Sequence, residues 1–376
     1  MKVLSIGTDR KLFEEGSAVL ERALGYASKV EELHMLVFTL KKERLSTKKI
    51  NNLYLYPTNS LSQWLYVLDA LKLSKKVIVE NKLSSGSVIS TQDPFQTGFV
   101  GVCLKHRFNL PLQVQIHTDF LNPYFSKSFF NKIRRTIASF VIPRADGLRV
   151  VSEIIKSSLK KSFPNLKINI DVLPIFFDID DLLTRSVSRL DFTQFRFIVF
   201  MASRLTKEKR IDTALRAFSK IVADFPQAGL VIAGDGPEKN NLLALTKSLL
   251  LTKNVIFLGW QNDLVHLYKT ADVFLLTSEY EGHGMTLVEA GVFGCPIVTT
   301  RVGIAKTDIF VNGQNSFICP VGDIECLSKA VIDLIEHPEK RRLFKKQMQD
   351  SIKAMAISKE EYTAKYIALL EKVNES

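Results

Sequence analysis

The sequence predicts an α/β protein of two tandem parallel-sheet domains facing a cleft, and three observations carry that reading. Short β-rich runs alternate with amphipathic segments along the chain, the pattern of a parallel sheet wrapped by helices. The alternation breaks in the polar stretch LLTRSVSRLDFTQF (182–195) and restarts with FRFIVFMA (195–202), as though from a first strand. The 376 residues, 46% of them hydrophobic, suffice for two or three domains with cores of their own.

The first domain is placed at residues 1–185. There VLSI (3–6), LHMLVF (33–38), LYLY (53–56), SVIS (87–90), LQVQI (112–116), GLRVV (147–151) and INIDVL (168–173) read as strands, with helical patterns between them. The second, at 186–354, repeats the scheme with IVFMA (198–202), GLVIAG (229–234), NVIFLG (254–259), DVFLL (272–276), PIVTT (296–300) and SFIC (316–319). Over 211–225, Ile211, Leu215, Phe218, Val222 and Phe225 recur every three or four positions, so one apolar stripe faces the sheet. Helical segments near 322–335 and from 339 to the end close the chain, and the last stretch, 355–376, is a helix that could cross back to the first domain.

Composition narrows the function classes. The four cysteines, Cys103, Cys295, Cys319 and Cys326, are few and never spaced as CxxC, which argues against a disulfide framework or a thiolate zinc site and for a reducing cytosol. The opening MKVLSIGTDRKLFEEGS has too short an apolar run for a secretory signal, and no stretch approaches the roughly 20 apolar residues of a membrane span. Of the net charge of +12, +10 falls in residues 1–185. Its basic pairs, Arg134–Arg135 and Lys160–Lys161 among them, fit either a face for anionic headgroups or a scattered solvated surface. No zinc-finger or aromatic-basic signature supports nucleic acid as a partner.

Ligands of open parallel sheets sit beyond the carboxyl ends of the strands, so chemistry is sought in the loops there. In SEYEGHGMTLVEAGVFGCPIVTT (278–300) a strand runs into a loop with Glu281, Gly282 and Gly284, and a helix begins near Met285 and carries Glu289. Glycines let the backbone approach a ligand, and a new helix offers unpaired N–H groups to an anion or a hydroxyl. Two carboxylates eight positions apart can accept hydrogen bonds from different hydroxyls of one extended ligand; singly, each would pass for a loop or first-turn residue. In MASRLTKEKRID (201–212), Arg204 and Lys209 lie five apart, where a guanidinium and an ammonium can converge on a diphosphate. In QIHTDF (115–120), His117 and Asp119 close a strand; a histidine there can titrate near neutrality and face the cleft, while a lone histidine is otherwise most often structural. GDGP (234–237) reads as a turn, and DIDD (178–181) as a helix cap, with no metal site.

SRLTKEK, AGDGPEK, VIFLGW and above all Glu281-GHGMTLV-Glu289 with AGVFGCPIVTT resemble the group 1 (family 4) glycosyltransferases, whose fold is the two-domain, Rossmann-like GT-B. The likeness covers the whole second half; STQDPFQTGFVG (90–101), His117 and RADGLRVVS (144–152) match more loosely. It implies retaining, metal-independent transfer of a sugar from a nucleotide diphosphate, UDP- or GDP-linked, to an acceptor hydroxyl, with no cofactor. Arg204 and Lys209 would hold the diphosphate. Glu281 would contact the donor sugar near its reacting carbon, Gly284, Met285 and Thr286 would meet sugar or phosphate, and Glu289 the ribose. His117 would lie by donor sugar and acceptor, and Gly259 and Trp260 fall in the base-binding stretch. Asp9, Gly16 and Asp119 are the acceptor-side positions; the family's Gly-Gly pair after the first strand is replaced by GTDRKLFEEGS, with Gly16 alone. His283 stands where the family often has an aromatic residue. The expected setting is synthesis of a surface glycan or glycolipid in the cytoplasm, at the inner face of an anionic membrane that presents a lipid-linked acceptor. A sugar-nucleotide epimerase and a catalytically silent nucleotide-sugar-binding partner are the alternatives on the same fold.

Overall fold

A computed structural model describes residues 1–176, Ile179 and residues 192–375. The boundary expected at 185/186, most of the polar stretch before residue 195 and most of DIDD (178–181) lie outside the described residues. The chain divides into two compact units, Met1–Phe176 with Ile357–Ser376, and Phe177–Ala356.

Unit 1 is built on β1 (Lys2–Gly7), β2 (Glu32–Val37), β3 (Lys48–Ile50), β4 (Leu53–Pro57), β5 (Ser87–Thr91), β6 (Leu112–Ile116), β7 (Gly147–Val150) and β8 (Asn169–Val172). They form one sheet in the order β3-β4-β2-β1-β5-β6-β7-β8, parallel except for β3 against β4. The strands interleave with α1 (Ala18–Ala27), α2 (Tyr66–Glu80), α3 (Gln96–Phe108), α4 (Phe129–Val141) and α5 (Glu153–Ser162). Every residue of β5 and β6 is buried, as expected where helices cover both faces of a parallel sheet. Ser17 and Ser152 start α1 and α5, each side chain accepting from a backbone N–H three residues on.

In unit 2, β9 (Phe197–Ala202), β10 (Ala228–Ala233), β11 (Val255–Gly259), β12 (Val273–Leu276), β13 (Ile297–Thr300) and β14 (Ser316–Cys319) pair in parallel in the order β11-β10-β9-β12-β13-β14. Around them lie α6 (Ile211–Asp224), α7 (Lys239–Ser248), α8 (Val265–Thr270), α9 (Met285–Val292), α10 (Ile324–Glu336) and α11 (Pro338–Met355). The stripe expected on α6 is buried at Ile211, Leu215 and Phe218, against the sheet residues Phe197, Val199 and Leu230. Strand order reverses between β9 and β12 here, and between β1 and β5 in unit 1, so each unit has a crevice beyond those strand ends.

The chain then enters α12 (Lys359–Asn374), which packs in unit 1 with Tyr362, Tyr366, Ile367, Leu370 and Val373 buried in the cluster of Val3, Leu33 and Val88. The helical tract expected from residue 339 is thus two helices, parted at 356–358, where the Ser358 side chain accepts from Glu361 N–H and starts α12. The cysteine expectation is corrected as well: Cys319 and Cys326 form a disulfide. Cys319 ends β14 and Cys326 lies in the first turn of α10, and the short loop between them folds the helix start back over the strand end.

Candidate active site

The site of unit 2 grows from the carboxyl ends of β9 and β12. After β9 the loop turns through Arg210, which sits in the left-handed region at φ 48° and begins α6. The Thr277 hydroxyl, on the loop after β12, reaches the carbonyls of Lys209 and Arg210 at 3.0 and 2.9 Å and ties the two loops together. Lys209 is thereby set against Glu281, its Nζ donating to Oε1 at 2.7 Å with both side chains nearly buried. The Ser278 hydroxyl donates to the same oxygen at 2.6 Å, which leaves Glu281 Oε2 without a hydrogen bond among the described residues.

Arg204 is otherwise placed. Its side chain is 69% exposed and its one ion pair among the described residues is a loose 3.9 Å contact with Glu208, worth little in water. It lines a cavity of about 170 Å³ with Gly234, Trp260 and Thr286, beyond the ends of β9, β10 and β11. Gly234 makes this approach possible: at φ 143° it bonds Gly259 O at 2.7 Å, and a side-chain carbon there would lie 1.8 Å from the Ser203 carbonyl oxygen. Trp260 is 67% exposed, a free aromatic face beside a cation.

Gly284, at φ 90°, starts α9 without a side-chain cap, leaving the first N–H groups of that helix, Met285 and Thr286, facing the loop of Glu281. Glu289 lies on the next turn. Its Oε2 accepts from the buried Tyr268 hydroxyl at 2.9 Å, and burial pushes the carboxyl above the usual range although that hydrogen bond pulls the other way. Tyr268, on α8, and Thr277, just after β12, are partners the sequence reading missed; Thr277 meets a loop 68 residues earlier, and only their positions flanking β12 hinted at them. His283 is 8% exposed, with Nδ1 unpartnered and its basicity lowered by burial.

The first-domain candidates sit in unit 1. His117 lines a cavity of about 440 Å³ near the β1/β5 crevice, together with Asp9 and Gln92. Burial and the charges of Arg149 and Arg22 take its imidazole down to about 3, so it is neutral in the physiological range; the expectation of titration near neutrality is corrected. Asp9 caps the turn Arg10–Phe13 through the Lys11 N–H at 3.1 Å. Asp119 is buried and accepts from the Ser158 hydroxyl on α5 at 3.3 Å, away from the residues lining that cavity. Gly16 occupies an exposed turn at φ 72° with open space about it.

Residues 188–351 match the family described as "Glycosyl transferases group 1". An N-acetyl-alpha-D-glucosaminyl L-malate synthase of Bacillus anthracis is 31% identical over 212 residues, 54% of this chain and 54% of that protein. An alpha-monoglucosyldiacylglycerol synthase of Streptococcus pneumoniae is 26% identical over 228 residues, 56% of this chain and 51% of that protein. The matched stretch thus spans about half the length of these relatives. The crystal structure of Anabaena HepE in complex with UDP and glucose superposes with a TM-score of 0.75 at 18% identity, over 99% of this chain and 100% of that one. The fold is therefore that of the GT-B proteins, with two Rossmann-like units.

Proposed function

We propose that this chain, whose residues 188–351 belong to the group 1 glycosyl transferases, moves a sugar from a nucleotide diphosphate to an acceptor hydroxyl, with retention and without a metal. The observation that carries the reading is the meeting of Lys209 with Glu281 at the β9/β12 crevice, beside the cavity that holds Arg204 and Trp260. In the reaction the bond from sugar to diphosphate breaks, a bond to the acceptor oxygen forms, and the acceptor proton leaves with the nucleotide. Negative charge grows on the leaving diphosphate, and fixed cations stabilise it most where water is excluded. Lys209, nearly buried and held by Glu281, is such a cation; Arg204, exposed and loosely paired, is free to close on the second phosphate. The Trp260 face suits a nucleobase, Glu281 Oε2 a sugar hydroxyl, and Glu289, steadied by Tyr268, the ribose.

The bound UDP of the similar structure supports UDP as the carrier, and the diacylglycerol relative supports a lipid-linked acceptor in surface glycan or glycolipid synthesis. Contact with the inner face of an anionic membrane draws support from α4. On this helix Phe129 and Phe130 are 71% and 60% exposed beside the exposed Lys132, Arg134 and Arg135. No helix among the described residues is long and apolar enough to cross a membrane. The experiment is a thermal-shift and hydrolysis screen against UDP-, GDP-, ADP- and dTDP-sugars, with and without EDTA. Stabilisation by one carrier with slow, EDTA-resistant release of its diphosphate is expected; silence toward all four sinks the reading. Liposome binding that needs anionic lipid and fades with salt checks the membrane contact.

A further inference from the structure

The cavity of unit 1 contains a charge that none of the described residues neutralises. Arg149, on β7, is 4% exposed, and its guanidinium donates only to neutral oxygens: Gln115 Oε1 at 2.6 Å, the Tyr362 hydroxyl at 2.6 Å and the carbonyls of Leu173 and Pro174 at 3.1 and 3.3 Å. Its Nε has no partner. Buried charges are ordinarily paired with opposite ones, because the cost of removing them from water is otherwise unrecovered. Arg22, on α1, lines the same cavity, and among the described residues neither arginine has a carboxylate within ion-pair distance. The two acids in the wall are committed elsewhere: Asp9 to the Lys11 N–H, and Asp93 to the Phe95 N–H at 2.7 Å at the start of α3.

The guanidinium is also held in place. Gln115 is itself fixed by the Ser90 and Tyr366 hydroxyls, each at 3.0 Å from Nε2, and the rings of Tyr362 and Tyr366 lie 5.9 and 5.5 Å from Arg149. Tyr26 stacks on Tyr366 at 4.3 Å. A pre-oriented buried cation, a second cation and an aromatic wall around about 440 Å³ make a receptor for an anion, since the fork of a guanidinium matches a carboxylate or phosphate. His117 beside them is kept neutral, first by burial and then by the charges of Arg149 and Arg22.

We propose that this cavity is an anion subsite in which Arg22 and Arg149 receive a carboxylate or phosphate carried by the acceptor. That the occupant is the acceptor rests on the transferase reading above; that the cavity takes an anion does not. The test uses the full chain, at ionic strength held constant with chloride. Inorganic phosphate and succinate represent a soluble anionic acceptor, and vesicles of phosphatidic acid in phosphatidylcholine represent a lipid headgroup. UDP is titrated into every variant. Saturable binding of one of these anions is expected, weakened about tenfold in Arg22→Gln and more in Arg149→Met, with the UDP response kept. Arg22 is the safer variant, because Arg149→Met removes four hydrogen bonds and can unfold unit 1; Arg22→Gln removes none that the structure shows. Binding by the soluble anions or by the vesicles alone supports the proposal and names the source. An anion response no greater than chloride's, or one that Arg22→Gln leaves intact, overturns the subsite while UDP binding stands. Loss of UDP binding with anion binding retained instead sinks the transferase reading.

Discussion

At the scale of single residues, the candidate site is assembled from side chains whose partners lie far along the chain. Lys209→Ala removes the cation and strands the Glu281 carboxylate, and a charge-assisted bond of this kind is worth about 1.5–3 kcal/mol. We expect UDP affinity and turnover to fall about 10- to 100-fold, with Glu281→Gln losing turnover more than affinity; titration calorimetry beside a hydrolysis assay separates the two. Full activity in both variants would refute the assignment. His117 gives a pH signature. Its folded-state value is depressed from the ordinary 6.5 to about 3, so it contributes stability that is present above 6.5 and is lost as pH falls toward 3. Urea unfolding between pH 7 and 3.5 should show that slope in the natural protein and a flatter one in His117→Gln. That Glu281, Glu289, Arg204 and Lys209 lie at the strand ends of the candidate site was legible in the sequence, because loops there announce themselves through glycine and charge. Tyr268, Thr277 and Arg149 were not, since a tyrosine, a threonine and an arginine inside apolar segments look like ordinary core and surface until the fold brings their partners to them.

At the scale of elements, apolar runs marked every strand but one among the described residues. The exception, β3, is three residues long with two lysines and pairs antiparallel at the sheet edge, where neither burial nor alternation leaves a pattern. The Cys319–Cys326 bond was illegible for a related reason, because a spacing of seven joins a strand to a helix only if the loop doubles back. Closing so short a loop stabilises by about 2 kcal/mol, so dithiothreitol or Cys326→Ser should lower the melting temperature of unit 2 by a few degrees. An unchanged melt under reduction would mean that the bond contributes nothing in solution. Gly234→Ala is expected to cost more, above about 2 kcal/mol, since the added methyl meets a backbone carbonyl that cannot step aside. Denaturant melts rank the two.

At the scale of the whole molecule, unit 1 is discontinuous: α12 belongs to it although 180 residues of unit 2 intervene. Gly147 on β7 shows how closely the helix is seated, because a side-chain carbon there would lie 2.4 Å from Val373. Truncation after Ala356 removes Tyr362 and Tyr366 from the cavity wall and uncovers Val3, Leu33 and Val88. Hydrogen exchange on that truncated chain should show loss of protection across β1, β2 and β5, with β9 to β14 still protected and UDP still bound. Equal protection in both chains would mean that the helix is dispensable. A ribosome making this protein therefore releases the first half as an unfinished object. Its apolar face waits while the whole of unit 2 is synthesised and folds, about ten to forty seconds at usual elongation rates, and is sealed only when α12 emerges. Over that interval the nascent chain exposes the apolar surface of Val3, Leu33 and Val88, and it is during synthesis, more than in the finished molecule, that it is most prone to aggregate.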